Sequence, residues 1–555
     1  MAETTDDSRG APGPDPGSDQ SKPSAATRLV EMALERYQFG ISDDGQPYAV
    51  RPGQHVVRML RGGKDSLRAE LARAYYERYG KAAPQQALAD AALVLEGMAQ
   101  DRDPDRVHLR VAWADGAVWL DLGDTAETVV KIDPTGWRLV SAGVPVLFRR
   151  TALTGVMPEP AADGDLDLLW KYLNVSPADR PIVLAWQVAA IIDPEAPHPI
   201  LSIFGEHGTG KTSAAKAIVA LVDPSPAPVR QPPRDPEQWV TAAQGSWVVG
   251  LDNLSQVPNW FSDSLCRAST GDGDVRRRLY TDDQLAVFAF RRCVVLTGID
   301  VGALRGDLAD RIATSYLDRI SDSARLSETE LAEQWSRAYP SILGGLLSLA
   351  AETMRRLPSV HLASSPRMAD FARILAAVDQ LLGTDGLGRF IEQAQVMAED
   401  SLASDPFLAR LHELEIDFTG RAAELLYKAT PDEDGWRPPR DWPKDPRAVT
   451  SLLRRNAPAL RKAGWVVESD TDRDHIVIWT LRHPAKIGDE DPGSSQDSRA
   501  PGTAGIDPAA SALFDPADVL PGTQKSCREC GDPLDDPPGL SGCKAKHRAG
   551  HDSRS

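Results

Sequence analysis

The segment from Gly205 to Thr212, GEHGTGKT, combines residue types that bind phosphate groups. Its spacing matches the pattern GxxxxGK[ST], in which glycines let backbone N–H groups turn towards phosphate oxygens. Lys211 is expected to contact the β- and γ-phosphates, and the Thr212 hydroxyl is expected to ligate Mg²⁺. We therefore predict a P-loop that binds ATP with Mg²⁺. The residues predicted to contact this cofactor are Gly205, Glu206, His207, Gly208, Thr209, Gly210, Lys211, Thr212 and Ser213.

A second metal-side carboxylate is expected at the end of a neighbouring strand. Asp252 directly follows the apolar run 247–251 and is predicted to hold Mg²⁺ through water; the alternative is an aspartate that caps the next helix. Asn253 follows, where many such ATPases have a glutamate, and an amide can orient water but cannot accept its proton. The sequence leaves three carboxylates as alternative bases, namely Glu206, Asp272 and Asp274.

Two further polar residues follow this pattern. Thr297 ends the apolar run 293–296 and is predicted to lie beside the γ-phosphate if its strand neighbours the strand of Asp252. Arg311 is predicted to reach the nucleotide of a neighbouring subunit as an arginine finger, and the alternative is a surface arginine paired with Asp307 or Asp310. The candidate catalytic residues are therefore Lys211, Asp252, Asn253, Thr297 and Arg311.

These residues require a parallel sheet with flanking helices to bring them together. The apolar run 200–204 predicts a strand before the loop, and spaced apolar residues over 214–222 predict a helix after it. Helical spacing at 331–349 predicts a lid or bundle beyond this core. The expected fold class is α/β and multidomain, with a P-loop core between an N-terminal α/β domain and a helical lid.

The length of 555 residues exceeds the roughly 250–300 residues at which a single core stops growing, so several domains are expected. The predicted divisions are disorder at 1–25, an N-terminal α/β domain of unknown role at 26–160, the ATPase core at 161–325, a helical lid or bundle at 326–405, a winged-helix domain at 406–484, a disordered linker at 485–524 and a Cys/His tail at 525–555.

Composition excludes some classes of protein. A net charge of −18 argues against a chain that coats nucleic acid with its whole surface, although a local basic stripe can still bind phosphates. Five cysteines, three of them near the C-terminus, do not form a secreted disulfide framework. We find no apolar run long enough to span a membrane and no signal-peptide pattern, so we expect a cytoplasmic protein.

The segment 407–483 has the pattern of a winged-helix domain. Helical apolar spacing at 418–426 and 449–460 precedes the apolar positions of a two-stranded wing at 466–481. Basic residues off the apolar face are predicted to contact DNA phosphates, whereas acidic residues around the wing leave protein docking as the alternative. These predicted DNA-binding residues are Arg454, Arg455, Arg461 and Lys462.

The C-terminal tail has the spacing of a zinc site. A CxxC pair allows two thiolates to reach one Zn²⁺ ion, and a second pair completes the tetrahedron. The predicted ligands are Cys527, Cys530, Cys543 and His547, with His551 as the alternative fourth ligand. Few apolar residues surround them, so a disordered tail with incidental thiols is the competing interpretation.

The order of motifs from Leu166 to Ile320 resembles the AAA+ class of P-loop ATPases and, within it, the superfamily-3 helicases of phage, plasmid and viral replication proteins. The short gap from P-loop to Asp252 and the segment 271–280, GDGDVRRRLY, carry this resemblance. In that family a hairpin at the position of this segment carries basic residues into a central channel. The resemblance implies DNA contacts for Arg276, Arg277 and Arg278, and an extension of that role to Arg291 and Arg292.

The resemblance also implies how the protein works. The family functions as rings, often of six subunits, in which Arg311 acts across the subunit interface. The stretches 252–311 and 366–371 are more specifically similar to uncharacterised ATP-binding proteins of actinobacterial phages and integrated elements. We therefore expect a DNA helicase-type motor in replication or maintenance of a mobile element. The alternative is a nucleotide-gated regulatory or defence switch without translocation, which Asn253 and the acidic charge favour.

Overall fold

The computed structural model describes residues 23–61, 66–277, 285–298, 306–321, 325–364, 366–433, 435–471 and 476–487. The predicted zinc ligands Cys527, Cys530, Cys543 and His547, together with His551, lie outside these ranges. Within the described ranges, no helix combines the length and the apolar character that a membrane crossing requires.

The N-terminal region is mixed α/β, as predicted. Its helices are α1 (Ala25–Leu34), α2 (Leu67–Tyr79) and α3 (Gln85–Gln100). Its strands are β1 (Gln38–Ser42), β2 (Pro47–Val50), β3 (Val56–Met59), β4 (Pro104–Asp105), β5 (Val107–His108), β6 (Val111–Ala114), β7 (Ala117–Asp121), β8 (Val129–Asp133), β9 (Gly136–Val140) and β10 (Leu147–Arg149). They form a six-stranded sheet, β4-β1-β2-β3-β10-β5, and an antiparallel meander of β6 to β9.

The central region contains the predicted parallel sheet with flanking helices. Its helices are α4 (Arg180–Ile192), α5 (Lys211–Val222), α6 (Pro236–Gln244), α7 (Asn259–Thr270) and the short α8 (Gly306–Ala309). Its strands are β11 (Ile200–Phe204), β12 (Val229–Arg230), β13 (Val248–Leu254), β14 (Gly273–Arg277), β15 (Leu285–Ala289), β16 (Cys293–Gly298) and β17 (Ile312–Tyr316). The parallel sheet has the order β12-β13-β16-β11-β17, and β14 and β15 form a separate antiparallel hairpin.

Hydrophobic burial explains this arrangement. Every residue of β11 is buried, as expected for a central parallel strand covered on both faces. Helix α4 is buried at every position after its first, because it lies between the sheet and a helical bundle. This bundle consists of α9 (Glu328–Arg356), α10 (Ala369–Leu382) and α11 (Gly386–Ala403). A capping box between Ser327 and Glu330 fixes the start of α9.

The C-terminal region has its own core. Its elements are α12 (Pro406–Glu413), β18 (Asp417–Arg421), α13 (Ala422–Ala429), α14 (Pro446–Lys462), β19 (Val466–Thr471), β20 (Val477–Arg482) and α15 (Pro484–Ile487). The three strands form an antiparallel sheet in the order β18-β20-β19. The helical pattern predicted from residue 418 is wrong at its start, because Phe418 lies on β18, where its side chain joins the core between sheet and helices.

A buried ion pair joins the N-terminal region to the central sheet. The Arg110 side chain is fully buried, and its Nε donates to Asp223 Oδ1 at 2.8 Å. The same guanidinium donates to the carbonyl oxygens of Asp121 and Gly155. Asp223 Oδ2 in turn accepts from the backbone N–H groups that begin β13, those of Trp247 and Val248, at 2.7 and 3.0 Å. Sheet and N-terminal region therefore share one hydrogen-bond network.

Candidate functional site

The P-loop follows β11 and leads directly into α5. Gly208 and Gly210 have φ values of 79° and 82°, in the left-handed region that favours glycine. A Cβ atom on Gly205 would lie 2.6 Å from Thr209 Oγ1, so that position also requires glycine. The Lys211 Nζ donates to the carbonyl oxygens of Gly205 and Glu206 at 2.7 and 2.8 Å. The lysine therefore lies against its own loop.

The oxygen atoms of three side chains converge beside the start of α5. Strand β16 lies between β11 and β13, so the ends of all three strands are neighbours. Thr212 Oγ1 donates to Asp252 at 3.0 Å, and Thr297 Oγ1 donates to Asp252 Oδ1 at 2.5 Å. Helix α7 begins at Asn259 after Pro258, so Asp252 does not cap it. Hard oxygen ligands beside a helix N-terminus suit Mg²⁺ bound to phosphate.

Asn253 occupies a special backbone position. Its φ is 60°, and the register between β13 and β16 shifts between Leu251 and Leu254. Asparagine tolerates this left-handed conformation better than glutamate does. Its N–H donates to Thr297 Oγ1 at 2.9 Å, whereas its side chain is exposed. The bulge thus supplies a structural reason for an asparagine where glutamate was expected.

The P-loop lies at the carboxyl edge of the sheet, where the parallel strands end. Two of the predicted residues lie at the amino edge, where these strands begin. Arg311 precedes β17, and its carbonyl accepts from the N–H of Ile200, the first residue of β11. Asp272 follows α7 and accepts a 2.8 Å bond from Thr270. Five residues of parallel strand, roughly 15 Å, separate this edge from the P-loop. Asp272 is therefore too far away to be the base at the P-loop of its own subunit.

Arg311 has a partner in the structure. Its side chain is only 10% exposed, and Nη1 donates to the Asp307 carboxylate at 2.5 Å. Arg367 also contacts Asp307, at 3.0 Å. Burial favours a raised pKa for Asp307, but the hydrogen bond and charge of Arg311 outweigh it and hold this pKa below its ordinary value. The ion pair that was the alternative prediction for Arg311 is thus formed.

The basic hairpin lies at this same amino edge of the sheet. Arg276 and Arg277 are on β14, but their side chains and the whole of Arg278 lie outside the described residues. Arg291 and Arg292 come after β15 and immediately before β16. Both are half-buried, and they donate to the carbonyl oxygens of Thr270 and Ala243, at the ends of α7 and α6.

The predicted DNA-binding residues of α14 divide into two groups. Arg454 and Arg455 are exposed. Arg461 donates through Nε and Nη2 to the Val467 carbonyl oxygen at 3.1 and 2.8 Å. Lys462 forms a 2.6 Å ion pair with Asp310, which docks the end of α14 onto the central region. Arg461 and Lys462 therefore have partners within the chain, whereas the pair that precedes them on α14 is exposed.

One basic residue at the P-loop was not predicted. The Nη2 of Arg325 lies 3.1 Å from the position that a Cβ atom would take on Gly208. Ile320 similarly approaches Gly210, with its Cδ1 3.3 Å from the corresponding position. The chain after β17 therefore passes over the loop. No motif surrounds Arg325, so only its position after the last strand of the sheet could have indicated it.

Comparison with solved structures finds distant likenesses. The active helicase Cch of SCCmec type IV is 13% identical with a TM-score of 0.40, and the match covers 81% of this chain and 93% of that chain. The apo C-terminal region of NrS-1 is 11% identical with a TM-score of 0.32, and the match covers 83% of this chain and 100% of that chain. Likeness at this level does not assign a function. No curated protein matches the chain.

Two family models match in tandem. Residues 166–400 match the actinomycete integrative conjugative element replication protein, and residues 407–498 match the C-terminal domain of the same protein. The first match includes the P-loop, Asp252, Thr297 and Arg311, and the second includes α14. Together the two models cover more than half of the 555 residues. The chain belongs to the family of replication proteins of actinomycete integrative conjugative elements.

Proposed function

We propose that the protein binds ATP with Mg²⁺ at Gly205–Ser213 and hydrolyses it. The observation that carries this proposal is the contact of Asp252 with both Thr212 and Thr297 beside Lys211. In a complex, Lys211 would contact phosphate oxygens in place of its carbonyl contacts, and Thr212 and Asp252 would hold Mg²⁺, which would neutralise phosphate charge. Thr297 would fix the Asp252 carboxylate on the γ-phosphate side.

The proposed hydrolysis involves two arginines from different subunits. Arg325 contacts phosphate from the same chain, since it lies over Gly208. Arg311 lies roughly 15 Å from its own P-loop, so it can act as an arginine finger only on a neighbouring subunit. This requires a homo-oligomeric ring and an exchange of Asp307 for phosphate. Asn253 orients the attacking water, and Glu206 is the proposed proton acceptor within the loop.

We further propose that ATP turnover drives a DNA helicase-type motor in the replication of the mobile element. Arg276 and Arg277 on β14, together with Arg278, the next residue in the sequence, are the proposed moving DNA contacts. The order helix, strand, helix, helix, strand, strand from α12 to β20 supports a winged-helix domain. In it, the exposed Arg454 and Arg455 bind DNA phosphates. Such a protein acts where the DNA is, in the cytoplasm.

A second candidate function rests on Asn253. No carboxylate follows Asp252 directly, and the amide cannot accept a proton from water. A site that binds ATP tightly and hydrolyses it very slowly would act as a nucleotide-gated switch, which assembles and releases partners without translocation.

The test is steady-state ATPase activity with and without single-stranded DNA. The variants are Lys211→Ala and the matched control Lys216→Ala, an exposed lysine on the same helix. A DNA-stimulated activity that falls at least a hundredfold in Lys211→Ala and persists in Lys216→Ala supports the motor. ATP binding with negligible turnover under every condition supports the switch. Absence of ATP binding to the wild type contradicts both.

Zn²⁺ binding by Cys527, Cys530, Cys543 and His547 also stays a proposal. Metal analysis of the purified protein is expected to give one zinc per chain, and none in a Cys527→Ser, Cys530→Ser variant. Equal zinc content in both proteins contradicts this set of ligands.

A further inference from the structure

A cavity of about 300 Å³ lies between the N-terminal region and the amino edge of the central sheet. Four arginines line it, and the carboxylates that line it belong to Asp43 and Asp44. Three aromatic rings, of His108, Trp247 and Phe290, complete its walls. The lining arginines are Arg106, Arg149, Arg291 and Arg292.

The four arginines are only partly neutralised. Arg106 pairs with Glu195, and Arg149 pairs with Asp44 at 3.1 Å. Arg291 and Arg292 form no ion pair within the described part of the chain, and donate to backbone carbonyl oxygens instead. The Nε atoms of Arg149 and Arg291 are buried and have no hydrogen-bond partner among the described residues. The carboxylates of Asp193 and Glu195 also act on Arg291, but the cavity keeps unused donors, the buried Nε atoms of Arg149 and Arg291.

Helix ends hold the two unpaired arginines in place. Arg291 Nη2 donates to the Thr270 carbonyl at 2.9 Å, at the end of α7, and Arg292 Nε donates to the Ala243 carbonyl at 2.5 Å, near the end of α6. The partial negative charge of a helix C-terminus favours such cations. These carbonyl groups use some of the donors but do not neutralise the full charges. The remaining N–H groups can donate hydrogen bonds to an anion.

The pKa values show that burial and neighbouring cations disfavour the charged forms in this cavity. Burial, followed by the charge of Arg149, lowers the pKa of Arg292 to about 10. Burial, followed by the charge of Arg106, lowers the pKa of His108 to about 4. Like charges in a poorly solvated site disfavour one another's charged forms, and a bound anion would relieve this repulsion.

We propose that this cavity binds a backbone phosphate of the DNA strand that the β14–β15 hairpin contacts. This inference rests on the proposed DNA-dependent function. Strand β15 leads directly into Phe290, Arg291 and Arg292, so the cavity lies at the foot of the hairpin. A space of about 300 Å³ has the size of a small-ligand site, which suits a nucleotide unit better than a bare ion. The Phe290 ring lies under the Arg292 guanidinium, whose Cζ is 5.1 Å from the ring centroid. Free phosphate or pyrophosphate has the same chemistry, so the experiment must distinguish these ligands from a phosphate of DNA.

The test compares Arg291→Gln and Arg106→Gln with the matched control Arg337→Gln. Arg106 is 57% exposed, so its replacement puts the fold at little risk, and Arg337 is a 76% exposed arginine on α9. Binding of a fluorescent 20-nucleotide oligo(dT) is measured by anisotropy at several salt concentrations. We expect Arg291→Gln to weaken binding about tenfold and to reduce the slope of log K against log salt by about 1. Arg106→Gln is expected to act in the same direction, and Arg337→Gln is expected to bind as the wild type does.

The outcomes separate this proposal from the proposed function. If the wild type binds oligo(dT) and both cavity variants match Arg337→Gln in affinity and salt slope, the cavity proposal is overturned and the proposed function stands. If the wild type itself does not bind DNA, both are overturned. Pyrophosphate that raises the thermal midpoint of the wild type but not of Arg291→Gln, with oligo(dT) binding unchanged, assigns the cavity to free phosphate and overturns the DNA proposal.

Discussion

The two edges of the five-stranded sheet are built in different ways. At the carboxyl edge, the hydrogen bonds of Lys211, Thr212, Asp252 and Thr297 within the described residues join these side chains to one another and to the backbone of the central region. At the amino edge, side chains from other regions complete the structure, and Arg110 of the N-terminal region is the most buried of them. The proposed nucleotide site is therefore built within the central region, whereas the opposite edge is where the other regions attach.

Helix direction accounts for this difference. Helices α5 and α7 follow parallel strands, so their N-termini lie at the carboxyl edge and their C-termini at the amino edge. N-terminal N–H groups favour anions such as phosphate, and C-terminal carbonyl groups favour cations. The bonds of Arg291 to the end of α7 and of Arg292 to the end of α6 follow this rule. One sheet thus separates the proposed site for the phosphates of a nucleotide from a cluster of cations.

The largest effect is expected where the amino edge depends on another region. Arg110→Met should lower the free energy of unfolding by about 3–5 kcal/mol, because it leaves the buried Asp223 carboxylate without its charged partner. The control Arg138→Met removes a 60% exposed arginine and should cost less than about 0.5 kcal/mol. Urea denaturation measures both. A loss below 1 kcal/mol for Arg110→Met would show that the central region does not need this contact.

A substitution at the carboxyl edge should lower the ATPase activity without lowering the free energy of unfolding. Asp252→Asn is expected to lower ATP turnover about a hundredfold, because an amide holds Mg²⁺ poorly. Asp272→Asn, at the opposite edge, should stay within about twofold of the wild type. Steady-state ATPase assays with both variants test the separation of the edges. Similar losses in the two variants would contradict it.

The pH dependence of stability should originate at the amino edge. Burial, followed by the charge of Arg291, lowers the pKa of His198 to about 4. Above the ordinary value of about 6.5 this histidine is neutral in both states; as pH falls towards 4, the unfolded chain takes up the proton first and stability is lost. The loss is at most about 1.4 kcal/mol per pH unit. His198→Phe should flatten this slope, and replacement of the exposed His361 by Phe should not.

The smallest effect concerns Asn253. Its φ of 60° predicts that Asn253→Gly keeps the stability of the wild type, whereas Asn253→Val loses about 1–2 kcal/mol. Thermal unfolding measures both variants. ATPase assays on the glycine variant then separate the two roles of this residue. Unchanged turnover would mean that only the backbone matters, and a large loss would mean that the amide orients water.

The structure also shows where sequence reasoning reached its limit. The parallel sheet and the strand before Gly205 agree with the prediction from periodicity, and the strands of Asp252 and Thr297 are neighbours, as the prediction for Thr297 required. Its position beside a γ-phosphate stays a prediction. Asp272 does not lie where a base at its own P-loop would, because α7 ends at Thr270 and places Asp272 at the amino edge, and the end of this helix was not located in the sequence. The left-handed backbone conformation that favours asparagine at position 253 could not be predicted either, since a β-bulge leaves no clear pattern in the sequence.

The sequence alone predicts a phosphate-binding loop at Gly205–Thr212, because the proposed chemistry depends on eight adjacent residues and on the φ angles that glycine permits. Only the tertiary structure decided which distant side chains meet. Arg110 and Asp223 are 113 residues apart, and Arg325 approaches Gly208 from beyond the last strand of the sheet. Such contacts depend on how whole layers pack, and no local spacing of residues encodes them.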